Sequence, residues 1–294
     1  MGLTFRPGQG AAYWLLAATY CFIWALGFPI SKLAIAQCPP ELFLAIRFIA
    51  AGGIMLLWAL WKGYLTSAVP WLGLIALGLV NFGLGNGLAW AGIKTTSAGL
   101  ATIIASIQPL IVGIVGAPLL SDRLTPMRVL GLVLGIGGVA FVVRNRIVLG
   151  GEDAFGVVLI VGSVFAQAAG TLFYKRWSPR VPLTVLVGTQ QFAAGVALLA
   201  FSLAFEDIAH ATFDTTVWLS ILYMAILNSI VTFQIWFFLL SKGSATSVAS
   251  LQFVMPPLGV VFSWMVLGEP IHLLDLVGLV PVALGIRLTT RPST

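Results

Sequence analysis

Apolar residues along this chain come in long unbroken runs separated by short polar breaks. The runs show neither the alternation of a half-buried strand nor the one-sided stripe of a soluble helix. Ten can be marked, at about 11–35, 41–61, 71–93, 98–120, 126–143, 154–177, 183–205, 217–240, 245–267 and 272–288. Several reach the roughly 20 residues that carry a helix across ~30 Å of hydrocarbon. Continuous runs favour helices over a membrane barrel, whose strands are shorter and of period two. The first run follows a short polar lead. It exceeds the usual apolar core of a secretory signal, and no small-x-small cleavage site follows it cleanly, so it is expected to be retained.

The punctuation between the runs repeats. Thr96–Leu124 and Gly243–Ile271 align without a gap at an offset of 147 residues, which pairs Pro109 with Pro256, Asp122 with Glu269, Gly131 with Gly278 and Gly138 with Gly285. An upstream pair agrees at an offset of 143, Pro39 with Pro182 and Gly52 with Gly195. The expected fold is therefore an all-α integral membrane protein of ten transmembrane helices, built as two five-helix repeats, 1–147 and 148–294. Five is odd, so the second repeat enters the membrane inverted. Inverted repeats are characteristic of secondary transporters, with the substrate near the midplane between the halves.

Composition agrees with the runs. The chain is 60% hydrophobic and 8% charged, with a mean hydropathy of +1.06, against roughly 25% charged residues in soluble domains. The net charge of +6 is explained by basic residues at span ends, so no nucleic-acid partner is expected. With the N-terminus in the cytoplasm, ten cations fall inside (Arg6, Lys62, Arg123, Arg128, Lys175, Arg176, Arg180, Lys242, Arg287, Arg291) and four outside (Lys32, Lys94, Arg144, Arg146). That bias predicts a multi-pass inner-membrane protein with both termini cytoplasmic.

Three motifs carry a family resemblance. Pro39-Pro40-Glu41-Leu42 leading to Arg47-Phe48 resembles the P…L…RF signature of EamA-type drug/metabolite transporters. Trp90 to Ala98 is similar to their junction between spans three and four, and Asp122-Arg123-Leu124 and Gly268-Glu269-Pro270 stand at their L-G-E turns. Asp122 replaces the usual Glu, and Gln190 stands where the second half would repeat Arg47. The resemblance implies ten helices, termini inside and export of small metabolites, most closely as in bacterial exporters of aromatic and other neutral amino acids.

Catalysis finds little support. His210 and His272 sit in a loop or at a span end on the outer side, Cys21 and Cys38 are not placed to pair, and no metal-site spacing occurs. An enzyme, a cofactor and a metal are not expected. No Asp or Glu lies near the centre of a span, which predicts transport without obligatory proton coupling. Arg47 is the intramembrane charge. It reads either as a carboxylate ligand or as a structural cation that snorkels to headgroups or bonds neighbouring carbonyls, and the second reading is preferred from its shallow depth.

Polar and aromatic residues recur at helical spacing. The expected cavity lining is Tyr20 and Trp24 with Phe28 beside them, Asn86, Trp90, Thr102, Ser106, Gln167, Thr171, Asn228, Thr232, Trp236 and Gln252. Singly each is as readily an interhelical bond or an interfacial anchor; together they suit a substrate with an apolar side chain and a zwitterionic head held by neutral groups. The repeat offset pairs Trp24 with Gln167, which predicts that spans one and six face each other. Pro109, Pro256 and Pro257 are expected to kink their spans as a hinge or a fixed bend. Gly131, Gly135, Gly278 and Gly285 mark spans five and ten for packing or dimerisation. The partners expected are a small-molecule substrate and the lipid bilayer, with the chain a monomer or weak homodimer. The alternatives are a lipid or polyprenyl-carrier flippase and a membrane-embedded enzyme or assembly scaffold.

Overall fold

The computed structural model describes residues 11–65, 69–108, 110–112, 115, 126–148, 152–177, 180–242, 251 and 254–289. All regular structure among them is helical. Helix α1 is Ala11–Ile35, α2 Pro40–Trp61, α3 Trp71–Thr95, α4 Ala98–Ala105 and α5 Pro126–Val148. The second half gives α6 Ala154–Trp177, α7 Leu183–Phe205, α8 at 215–242, α9 Met255–Leu267 and α10 Leu273–Thr289. Among the described residues seven helices are long and apolar enough to cross a membrane, and the remaining apolar helices are shorter. Their outer faces carry large apolar side chains such as Leu57, Trp61, Leu72, Phe155, Phe205 and Leu273. A belt of that kind is stable against lipid and not against water.

Most of the helix ends lie within two residues of the ends that the apolar runs predict. Helix α4 ends at Ala105 and α9 begins at Met255, short of the expected 120 and 245 and near residues outside the described ones. Helix α5 runs five residues further than expected, to Val148. Its last turn carries Arg146, which is buried and tied to acids on other elements, so the extra turn is held by tertiary contacts. Arg144 and Arg146 are thus helical residues, just past the end at 143 that the apolar run predicts. Helix α8 begins at Thr215 because Asp214 caps it, its Oδ1 accepting from the Val217 N–H at 2.9 Å.

Two departures lie inside the spans. Both α3 and α8 widen into π-helical turns, at Leu79–Leu84 and Tyr223–Val231. Asn81 and Asn228, one in each turn, stand 147 residues apart, the repeat offset again. Pro256 and Pro257 do not kink a continuous helix: they occupy the first turn of α9, where a missing N–H costs nothing. Pro109, Asp122 and Gln252 lie outside the described residues.

Helix packing comes in mirrored pairs. Helix α1 packs on α8 and α9, and its counterpart α6 packs on α3 and α4. Helix α2 lies on the π turn of α8 as α7 lies on that of α3. Three further pairs, α2 with α7, α4 with α9 and α5 with α10, join each helix to its own counterpart. The glycines that mark the repeat sit at two of these crossings. A Cβ on Gly52 would stand 2.5 Å from the Phe192 backbone nitrogen, and one on Gly195 2.8 Å from that of Ile49. At the α5–α10 crossing a Cβ on Gly138 would stand 2.7 Å from the Gly278 carbonyl oxygen. Glycine is required at these points because backbone meets backbone. The small-residue faces of α5 and α10 are therefore occupied within one chain.

Candidate functional site

Between α1, α2, α3 and α8 a line of aromatic rings runs through the interior. Trp236 of α8 meets Tyr20 of α1 with ring centroids 5.2 Å apart, and Tyr20 stacks on Trp24 at 6.2 Å. Trp24 meets Phe233 edge-on at 6.4 Å, Phe233 meets Phe82 of the α3 π turn at 6.0 Å, and Phe82 meets Phe48 of α2 at 5.5 Å. Beside Phe48 the wall reaches Arg47, whose Cζ lies 4.8 Å from the Phe48 centroid and 5.6 Å from that of Trp90. Trp90 is stacked on Phe28 at 5.9 Å. Sequence reasoning found Tyr20, Trp24, Trp90 and Trp236 but missed Phe48, Phe82 and Phe233 as members of the same wall. Helical spacing groups residues on one helix and says nothing of which stripes meet.

Arg47 closes this line in a way its sequence position does not suggest. It is only 4% exposed, so it does not snorkel to headgroups. It bonds side chains of the other half: Nε donates to Ser229 Oγ and Nη2 to Asn228 Oδ1, both at 3.2 Å. Asn228 in turn donates from Nδ2 to the Ile23 carbonyl at 3.2 Å, and it can reach that oxygen because Gly27 leaves the space. The π turn aims both Asn228 and Ser229 at α2. A local π bulge at such a place fits the tendency of these bulges to mark functional positions.

The guanidinium remains incompletely satisfied. Its Nη1 has no partner, the indole Nε1 of Trp90 has none either, and among the described residues no carboxylate pairs with Arg47. A buried charge without an opposite charge costs several kcal/mol. Two rings and two neutral acceptors offset part of that, at roughly 0.5–2 kcal/mol for a cation over a ring and about 1.5–3 kcal/mol for each hydrogen bond to a charge. Seven residues past Pro40, Arg47 lies about 10 Å along α2 from its start.

The other expected lining residues divide. Gln167 of α6 rests on Gly85, one turn from the Phe82 ring, and Asn86 donates to the Asn81 carbonyl at 3.4 Å. The hydroxyls of Thr102, Ser106, Thr171 and Thr232 bond carbonyls of their own helices, and Thr102 also packs against Gly259 of α9. Those four follow the structural reading of their residue type. Trp24 and Gln167 reach the interior from α1 and α6 but pack on different neighbours, Trp24 on Phe233 and Gln167 on Gly85. On α7 the repeat counterparts of Arg47 and Phe48 are Gln190 and Gln191, both buried; neither amide atom of Gln191 has a partner.

One end of the bundle is stitched by charges. Lys32 Nζ lies 3.2 Å from Glu269 and donates to the Thr96 carbonyl, while the Glu269 carboxylate accepts from the N–H groups of Ala98 and Gly99 at 2.8 and 3.0 Å. The first turn of α4 supplies those donors, so a carboxylate from the other half completes its cap. Arg146 bonds Glu152 at 3.0 Å, Ser97 Oγ at 2.6 Å and Asp275 through two nitrogens. Glu206 likewise caps α2, accepting from Glu41 and Leu42 at 3.2 and 3.1 Å. Sequence reading placed these charges at span ends but could not pair them.

With this geometry in view, the comparisons with known proteins decide the class. The model of the EamA-like transporter family matches twice, at residues 12–144 and 154–291. The chain belongs to this family. It is a membrane transporter. A transporter of Bacillus subtilis (strain 168), YvbV, is 30% identical over 95% of this chain and 92% of its own length. A probable amino-acid metabolite efflux pump of Salmonella typhimurium is 27% identical over 93% of each chain. A crystal structure 18% identical superposes with a TM-score of 0.68 over 95% of this chain and 96% of its own, which shows the shared ten-helix fold.

Proposed function

We propose that the chain exports small amphipathic metabolites, with amino acids bearing apolar or aromatic side chains as the class its interior suits. The observation that carries this is the continuous aromatic wall from Trp236 to Trp90, which gives an apolar side chain a surface of matching chemistry and ends in polar groups. The Salmonella relative, named as an amino-acid metabolite efflux pump, supports the same class.

Transport proceeds by alternating access between two inverted repeats, residues 1–147 and 148–294. Both termini are cytoplasmic on the charge bias of the sequence. The end held by Lys32, Glu269, Arg146 and Asp275 then faces outward, so this arrangement is closed to the outside, and those contacts must part for release. No carboxylate lies mid-span in the described helices, and export runs without obligatory proton coupling.

Counterflow of labelled amino acids in proteoliposomes tests the reading. Neutral aromatic amino acids are expected to exchange, and a pH gradient imposed without a substrate gradient is expected to drive no uphill uptake. Trp24→Ala, which removes the ring between Tyr20 and Phe233, should cut exchange at least about tenfold with expression intact; Gln167→Ala should also reduce it. Absence of exchange for every amino acid tried, or full rates in both variants, overturns the proposal.

A further inference from the structure

We propose that Arg47 Nη1 and Trp90 Nε1 together form the subsite for a carboxylate of the transported molecule. This rests on the transport reading and names the charge its substrate carries. Both groups are donors without acceptor capacity. Both are more than nine-tenths buried, at 4% and 6% exposure, and neither donor has a partner. The remaining guanidinium nitrogens are fixed by Asn228 and Ser229, so the free Nη1 is held in place by the π turn of α8. The guanidinium carbon is 5.6 Å from the Trp90 ring centroid, which brings the two donors into one neighbourhood. Two fixed donors, one of them charged, match the two oxygens of a carboxylate.

The surroundings narrow the choice further. A cation inside a span without an opposite charge is a functional feature by default, because hydrocarbon supplies no counter-ion. The second half puts neutral Gln190 at the position of Arg47, so the repeat does not double the charge. A single guanidinium suits a monoanion, whereas a phosphate dianion would leave charge uncompensated. The neighbouring Phe28, Phe48 and Phe82 rings then receive the apolar part of the same molecule. The sequence alone suggested a head group held by neutral contacts, and the buried guanidinium replaces that expectation.

The test uses the purified full chain and five probes: phenylalanine, phenylalanine amide, 3-phenylpropionate, phenethylamine and phenyl phosphate. Binding is read by ligand-dependent thermal shift and transport by counterflow. The two carboxylates are expected to bind, and the amide, the amine and the phosphate are not. Arg47→Gln should weaken carboxylate binding roughly 10- to 100-fold and abolish the preference over the amide, and Arg47→Lys should restore part of it. Trp90→Phe keeps a ring beside the guanidinium and should lower carboxylate affinity several-fold. Melting of each variant without ligand reports folding, and if Arg47→Gln does not fold, Trp90→Phe with the same probes decides. Equal binding of acid and amide, preference for the phosphate, or an undiminished acid preference in Arg47→Gln or Trp90→Phe overturns the subsite. Exchange of phenylalanine and its amide alike leaves the transport reading standing and removes the subsite. Binding of 3-phenylpropionate without phenylalanine keeps the subsite and removes the amino-acid class. If no probe binds, both fall.

Discussion

Replacing Gly52 by alanine tests whether the two halves are held together by direct backbone contact at the α2–α7 crossing. The new Cβ would stand 2.5 Å from the Phe192 nitrogen, 2.8 Å from the Gly188 oxygen and 2.9 Å from the Phe192 Cα. All three are backbone atoms of a packed helix, so no rotamer change relieves the overlap. The helices must separate by about 1 Å to restore ordinary contact, and overpacking of this kind costs typically ~1–3 kcal/mol. Helix propensity works the other way, since alanine gains up to about 1 kcal/mol over glycine inside a helix. Gly53 supplies the control on the adjacent residue: its Cβ would meet nothing nearer than the Phe192 ring at 4.0 Å. Gly53→Ala should therefore stabilise the protein and Gly52→Ala destabilise it, a difference of roughly 2–4 °C in apparent melting temperature per kcal/mol for a chain of this size. Gly195→Ala should behave like Gly52→Ala. The double variant should lose less than the two single losses together, because one widening of the crossing relieves both overlaps. Tryptophan fluorescence of the detergent-solubilised protein during heating reads these shifts. Equal shifts at Gly52 and Gly53 would refute the reasoning, whatever their sign.

Two further predictions follow from the ends of the helices. Reporter fusions after Ser241 and at the C-terminus should both report cytoplasm, and opposite sides would break the ten-span arrangement. Cys38, in the turn between α1 and α2, is 4% exposed, and burial pushes its thiol up to about 12, with Glu206 adding to the rise and Lys94 opposing it. A raised thiol pKa leaves about one part in ten thousand as reactive thiolate at pH 8, so maleimide labelling of Cys38 should be slow there and accelerate only in strong alkali; labelling at the rate of an exposed thiol at pH 8 contradicts the packing of that turn.

The helices were legible because hydrocarbon demands long uninterrupted apolar runs and internal backbone bonding, which leaves little room for alternatives. What the sequence hid is of two kinds. A π turn adds a single residue to a span of more than twenty, and an all-apolar run has no stripe for that insertion to disturb, so the turns at Leu79–Leu84 and Tyr223–Val231 left no mark in the pattern. Their one trace is Asn81 and Asn228, polar residues at the same offset that joins the prolines and glycines. The second kind is pairing over distance. Arg146 meets Asp275 across 129 positions, and Arg47 meets Asn228 across 181. Depth on its own helix made Arg47 look like a snorkelling cation; its burial depends on the other half, which depth alone does not include.

The two halves keep the same residue where they cross and diverge in the interior. Where the halves cross, both copies need the same residue, because Gly52 and Gly195 each admit the backbone of the other helix. A larger side chain in either copy would part both contacts at once. The interior stripes are under no such constraint, since Trp24 packs on Phe233 and Gln167 on Gly85 and not on each other. Offset by 143 residues, Tyr20, Trp24 and Phe28 of α1 correspond to Ser163, Gln167 and Thr171 of α6, and Arg47 and Phe48 of α2 correspond to Gln190 and Gln191 of α7. At these positions the first half carries rings and a charge where the second carries hydroxyls and amides, while Phe233 and Trp236 of α8 add rings from the second half. On the export proposed above, an amphipathic molecule meets Arg47 from the first half, rings from both halves and the amides of α7 from the second. On the same proposal, repeats identical throughout would offer a substrate two equal orientations, and the divergence at these five positions removes that equivalence.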